Sequence, residues 1–214
     1  MVNLTDEFNK NIPDSLGTAG QVLTVNSGAT AGEWADAAGG SWNLLSTVNA
    51  SSSSTVEFTS AMTGYNHYAV IISGAVPSTG SVRLNMRLKR SGDSGFFTGG
   101  DYVYTTTTSD TYNGNAVNSG STGSSYIDLT GFQIIGNYSG NPGNSGVLYF
   151  PDFNSSTKNK LTYGKNTWHD SSLRPMQSIF TGTLLYNTAI VGVQFYFSSG
   201  NIDVGKFSLY GLSV

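Results

Sequence analysis

The stretch Ser81–Arg90, SVRLNMRLKR, decides the fold class. Val82, Leu84, Met86 and Leu88 alternate with Arg83, Asn85, Arg87 and Lys89. Successive side chains of a strand point to opposite faces, so the pattern gives one apolar and one polar face. A helix would bring Leu84 and Leu88 together but scatter Val82 and Met86. The stretch reads as a half-buried β-strand, which needs a sheet around it.

Outward from it the same period recurs. Upstream, YAVIISG (Tyr68–Gly74) is nearly continuous apolar sequence, as a strand buried on both faces would be. Before it, WNLLSTV from Trp42 and STVEFTS (Ser54–Ser60) read as strands joined by a serine-rich turn. Downstream comes the strand DYVYTTTT, then Thr111–Ser125, a long polar loop, then the strand YIDLTGFQII (Tyr126–Ile135). VLYFPDF carries Pro151, which marks an edge or a bulge. KLTYGKNTWHD, SIFTGTLLY, AIVGVQFYF and GKFSLYGL follow; in the third, Val191, Val193, Phe195 and Phe197 share a face. Roughly ten or eleven strands at steady spacing, with turn signals between them, predict an antiparallel β-sandwich of jelly-roll type. A trimeric β-prism or an isolated barrel is the competing arrangement.

Composition agrees with that reading. Only 11% of the 214 residues are charged, against about 25% in typical soluble proteins, and glycine alone supplies 27. Aromatic residues make up 12%, which argues against disorder over most of the chain. The net charge is −3 and the basic residues are scattered, apart from Arg83, Arg87, Lys89 and Arg90, so no nucleic-acid footprint is present. Cysteine is absent, which excludes disulfides and thiolate metal sites. The first residues, MVNLTDEFNKNIPDSLG, have no apolar run of the kind a secretion signal or membrane span needs, so no membrane insertion is expected.

Residues 1–40 read differently from residues 41–214. Phe8 and Ile12 would share a face of a short helical turn before Pro13. The segment Leu16–Asp36, LGTAGQVLTVNSGATAGEWAD, is too rich in glycine and alanine to build a core. It nevertheless carries Leu16, Val22, Leu23, Val25 and Trp34. QVLTV is its one good strand, with a hairpin on Asn26–Gly28. A hairpin alone in water is marginal, so this extended N-terminal arm needs a partner, and residues 41–214 form a self-sufficient knob. Ala37–Gly40 is a small-residue linker.

Catalytic signatures are missing from the sequence. The two histidines, His67 and His169, belong to no HExxH motif, and no GxSxG elbow occurs. The acids fall mostly singly in turns, unlike the paired carboxylates of glycan cleavage. GTAGQ and GATAG lack the lysine and Ser/Thr of a phosphate loop. The expectation is a protein that is not an enzyme and has neither cofactor nor metal motif, although a cation held by loop carbonyls would leave no motif. Candidate ligand-facing residues are Arg83, Arg87 and Lys89 on the polar side of their strand, with the loop tyrosines Tyr112 and Tyr138.

LGTAGQVLTVNSGATAGEWAD resembles a short segment, GTAGQVL-T-NG-A--WA, that recurs in bacteriophage tail fibres and other virion appendages. GKFSLYGL resembles the last strand of jelly-roll domains of phage surface proteins, and YAVIISGAVPSTGSVRLNMRLKRSGDSG is similar to their central strands. The likeness is close over Leu16–Asp36 and loose over most of the remaining chain. It implies a homotrimer on the virion surface, with the glycine-rich segment packed about a three-fold axis and the jelly roll as a distal knob. The arm is shorter than a tail-fibre shaft, which favours a capsid decoration (cement or head-fibre) protein over a short tail fibre that binds host polysaccharide. Attachment and trimerisation then fall to Phe8, Ile12, Leu16, Val22, Leu23, Val25 and Trp34. The implied partners are two further copies, the major capsid protein or a tail protein, and a bacterial surface glycan.

Overall fold

The computed structural model describes residues 18, 21–25, 27–28, 31–36, 41–59, 61–110 and 114–213. The chain divides into two compact units, residues 1–40 and 41–214. In the first, β1 (Gln21–Val25) pairs antiparallel with β2 (Gly32–Asp36). The hairpin is the expected one, but its connection is wider than NSG. Its second strand, GEWAD, went unread because glycine, alanine and acids are poor strand formers. At the entry, Thr18 N–H donates to Gln21 Oε1 and Gln21 N–H donates back to Thr18 O, both at 3.0 Å.

The second unit is all-β among the described residues. Its strands are β3 (Trp42–Ser53), β4 (Val56–Phe58), β5 (His67–Pro77), β6 (Leu84–Arg90), β7 (Tyr102–Asp110), β8 (Ala116–Ser124), β9 (Ile127–Asp128), β10 (Asn144–Phe150), β11 (Lys160–His169), β12 (Pro175–Leu184), β13 (Ile190–Phe197) and β14 (Ile202–Leu212). One sheet has eight strands in the order β3-β14-β5-β10-β11-β12-β7-β8, and the other has four, β4-β13-β6-β9. With the hairpins β7–β8 and β11–β12 set aside, β3-β14-β5-β10 faces β4-β13-β6-β9. That is the two-Greek-key order of a jelly roll. The two hairpins pair with each other through β12 and β7 and extend the larger sheet past β10.

The core fills the space between the sheets. Val82, Leu84, Met86 and Leu88 are all buried, as their alternation requires. Phe195 of β13 and Phe207 of β14 meet across the layers at 5.4 Å between ring centroids. In β13 the register shifts between Ile190 and Gly192, so Ile190 takes the core position that simple alternation gave to Val191, which is only half-buried.

Two expectations about the inserted region are corrected. Thr111–Ser125 is not simply a loop: Ala116–Ser124 is an edge strand paired to β7. Both its faces are largely exposed, so it carries no hydrophobic alternation to read. Tyr126–Ile135 is not one strand, because only Ile127–Asp128 forms a strand on β6, and Ile135 returns to make an isolated bridge with Val82. The chain then leaves the ladder and lies irregularly against the inner face of β7, β11 and β12.

Buried irregular backbone must have its carbonyls satisfied. Thr106 Oγ1 donates to Asp128 O and Thr108 Oγ1 to Thr130 O, each at 3.1 Å. Ser178 Oγ donates to Leu129 O at 2.6 Å and Trp168 Nε1 to Ile134 O at 3.0 Å. This explains why the inner face of these strands carries buried threonine, serine and asparagine. The Asp128 carboxylate accepts from the backbone N–H of Thr130 (2.9 Å), Gly131 (3.1 Å) and Phe132 (3.0 Å). It thereby holds Gly131 and Phe132 at φ 64°, where a Cβ on Gly131 would come within 2.6 Å of Thr108 Oγ1.

Candidate binding surfaces

The outer face of the eight-stranded sheet is built by register. Leu44, Tyr210, Ala69, Tyr149 and Tyr163 pair in turn across β3, β14, β5, β10 and β11, so their side chains form one row. Ser208, Ile71, Val147, Lys165 and Ile179 form the next row, ending on β12. The Trp42 ring meets Tyr149 at 6.0 Å and Tyr210 at 5.6 Å, both edge-on. Tyr149 and Tyr163 stack at 5.2 Å. Trp42 keeps 41% of its area in solvent, Tyr163 45% and Ile179 57%.

Three hollows lie in line along β10 and β11 on this face. The middle one, about 630 Å³, is walled by Ile71, Val147, Tyr149, Tyr163, Lys165 and Ile179. One of about 250 Å³ shares Tyr149 and Tyr163 with it and adds Trp42, His67 and Leu212. One of about 560 Å³ shares Ser145 and Thr167 and runs on to His169 and Pro142. Together they form an open groove along the strands.

The basic strand has a different character. Arg83 lies 3.6 Å from Asp128 and over the Phe132 ring at 5.3 Å. Arg87 Nε donates to Ser125 O at 3.1 Å, and its guanidinium sits 4.6 Å over Tyr196. Arg90 lies between Phe97 and Tyr186, at 4.4 and 4.3 Å, and bonds both oxygens of Asp93, which raises its pKa further. Lys89 is half-buried on the same strand. These guanidinium groups have stacking and charge partners within the fold, which weighs against their being held ready for an acidic ligand.

Tyr138 Oη lies 2.6 Å from His169 Nδ1, at one end of the groove. His67, at the other end, lies 3.8 Å from Asp152. Asp152 also bonds Lys158 Nζ at 2.6 Å, which lowers its pKa. Among the described residues no cluster of His, Cys, Asp and Glu has the makings of a metal site. A cation cage of carbonyls does exist, and the protein fills it with its own ammonium. Buried Lys160 donates from Nζ to Ser155 O (2.6 Å), Lys158 O (2.5 Å) and Asn187 O (3.4 Å). Burial lowers its pKa.

Val22, Leu23 and Val25 of the hairpin are exposed, and Trp34 pairs in register with Leu23. Phe8, Ile12, Leu16 and Tyr112 lie outside the described residues. The aromatic groove was not singled out by sequence. Its signal is present in KLTYGKNTWHD, where Leu161, Tyr163 and Lys165 share the parity that faces outward while Thr162, Gly164 and Asn166 face in. The chain matches no protein-family model, no curated protein and no solved structure among those compared.

Proposed function

We propose that this protein is a non-enzymatic structural protein of a phage virion surface, a homotrimeric capsid decoration protein. Its first forty or so residues anchor it to the particle, and its jelly roll is displayed outward. The observation that carries this reading is the β1–β2 hairpin. Its apolar side chains point to both faces, since Val22 and Leu23 are adjacent on one strand, and all of Val22, Leu23 and Val25 are exposed. A two-stranded ribbon that keeps both faces apolar has little to hold it in water, and it gains by packing on other copies or on a shell. Each such side chain contributes about 1.5–3 kcal/mol when fully covered, and a trimer repeats the gain on every chain. The jelly roll supports the reading as well, because it has a core of its own between its two sheets.

The test is where the protein sits on purified particles, and in how many copies, by electron microscopy and quantitative gel. Many copies over the head support decoration. A few at the tail would replace that reading with a receptor-binding fibre, and absence from particles would overturn both. A chain lacking residues 1–40 should fold and fail to attach; a knob that does not fold without the arm would refute the division of labour.

A further inference from the structure

We infer that the groove along β10 and β11 is a binding site for an acidic polysaccharide. Its aromatic platform is Trp42, Tyr149 and Tyr163, and its charge determinant is Lys165. The inference stands apart from the anchoring reading, because a knob on a head or on a tail presents the same face.

Shape is the first argument. The three hollows follow one another along the strands, from Trp42 and His67 at one end to His169 and Pro142 at the other. From Tyr163 to His169, the part of β11 that lines the hollows, the strand rises about 20 Å at ~3.3 Å per residue. A groove that long and that open suits a linear chain of repeating units better than a compact small molecule, which would be enclosed.

Surface chemistry is the second. Sugar rings offer apolar C–H faces and a rim of hydroxyls. Trp42 and Tyr163 supply exposed aromatic area, held in place by ring contacts with Tyr149 and Tyr210. Ser145, Thr167 and Gln177 line the same groove and can exchange hydrogen bonds with hydroxyls.

Charge selects the occupant. The chain carries net −3, yet β5, β10, β11 and β12 contain no Asp or Glu at all. Lys165 stands in the groove wall, and the nearest acid at the Trp42 end, Asp152, is already paired with Lys158. A groove lined by one lysine and no carboxylate, on a protein of net negative charge, complements an anionic chain better than a cationic one. A second copy packed face to face would set lysine against lysine with no acid to pair them.

The experiment measures retention of the full-length protein on immobilised polygalacturonate and alginate, with dextran as the neutral control, at low and high salt. Light scattering on the same samples reads the oligomeric state. Retention on at least one polyuronate, weakened by salt, is expected. Tyr163→Ala and Trp42→Ala should each weaken it about tenfold, while the melting temperature falls by only a few degrees and the protein stays folded at the assay temperature. Lys165→Gln should weaken it and reduce its salt dependence, leaving the weak dextran signal alone. Absence of retention on both polyuronates overturns the inference, as does retention indifferent to Tyr163→Ala and Lys165→Gln. If Tyr163→Ala or Ile179→Ser instead breaks up an oligomer without changing retention, the face is a contact between copies and the inference fails.

Discussion

Replacing Lys160 by Met removes an ammonium from the three carbonyls it bridges and keeps most of the side chain's volume. Lys160 starts β11, and its Nζ ties Ser155 and Lys158 of the preceding turn to Asn187 of the loop after β12. Hydrogen bonds to a charged group contribute about 1.5–3 kcal/mol each. The third, at 3.4 Å, is weak, and the turn lies near the surface, where water can recover part of the loss. The expected net cost is ~2–4 kcal/mol. For a domain of this size that lowers the melting temperature by roughly 5–15 °C. Urea unfolding followed by tryptophan fluorescence, with a thermal scan, measures both. The control is Lys158→Met, two residues away. Lys158 is 65% exposed and pairs with the half-exposed Asp152, so its loss should cost under ~1 kcal/mol. A Lys160→Met protein within about 0.5 kcal/mol of wild type would refute the claim that this ammonium organises the two loops.

Asp128→Ala should cost ~3 kcal/mol or more, because it strips the acceptor from three backbone N–H groups in a buried left-handed turn; chemical denaturation of the variant checks it, and Asp128→Asn should recover only part. Alkaline stability follows from the buried tyrosines. Burial raises the pKa of Tyr102 and Tyr104, and pushes that of Tyr196 up to about 12, from 10.0. The folded state thus holds these protons longer than the unfolded state does. Their contribution to stability is fully present below pH 10 and is lost as pH rises from 10.0 through the folded values. Ultraviolet titration should show these phenols ionising only together with unfolding, and early ionisation of the full tyrosine complement would contradict the burial.

The sequence by itself determined the fold class and most of the strands. Period-two alternation in SVRLNMRLKR is local and strong, because Val82, Leu84, Met86 and Leu88 enter the core while Arg83, Arg87 and Lys89 stay on the half-buried opposite side; in KLTYGKNTWHD the alternation runs the other way, with Leu161 and Tyr163 on the exposed face. It also marked the hairpin QVLTV as apolar sequence in search of cover. Edge strand β8 was illegible because neither of its faces is buried, so nothing constrains its alternation. The segment after Ile127 was illegible for the opposite reason. Its apolar residues are buried by irregular backbone, and the serine, threonine and asparagine that satisfy that backbone come from β7, β11 and β12, up to 49 residues away in sequence. The arginines of β6 looked available because sequence shows a basic face but not the rings of Phe132, Tyr196, Phe97 and Tyr186 that tertiary packing lays against it. The groove was decided only by tertiary structure. Trp42, Tyr149 and Tyr163 lie on three strands, and only the insertion of two hairpins beside β10 extends the jelly-roll sheet far enough to place them on one continuous face. Strand pairing between distant segments is a long-range choice, and no local period in the chain encodes it.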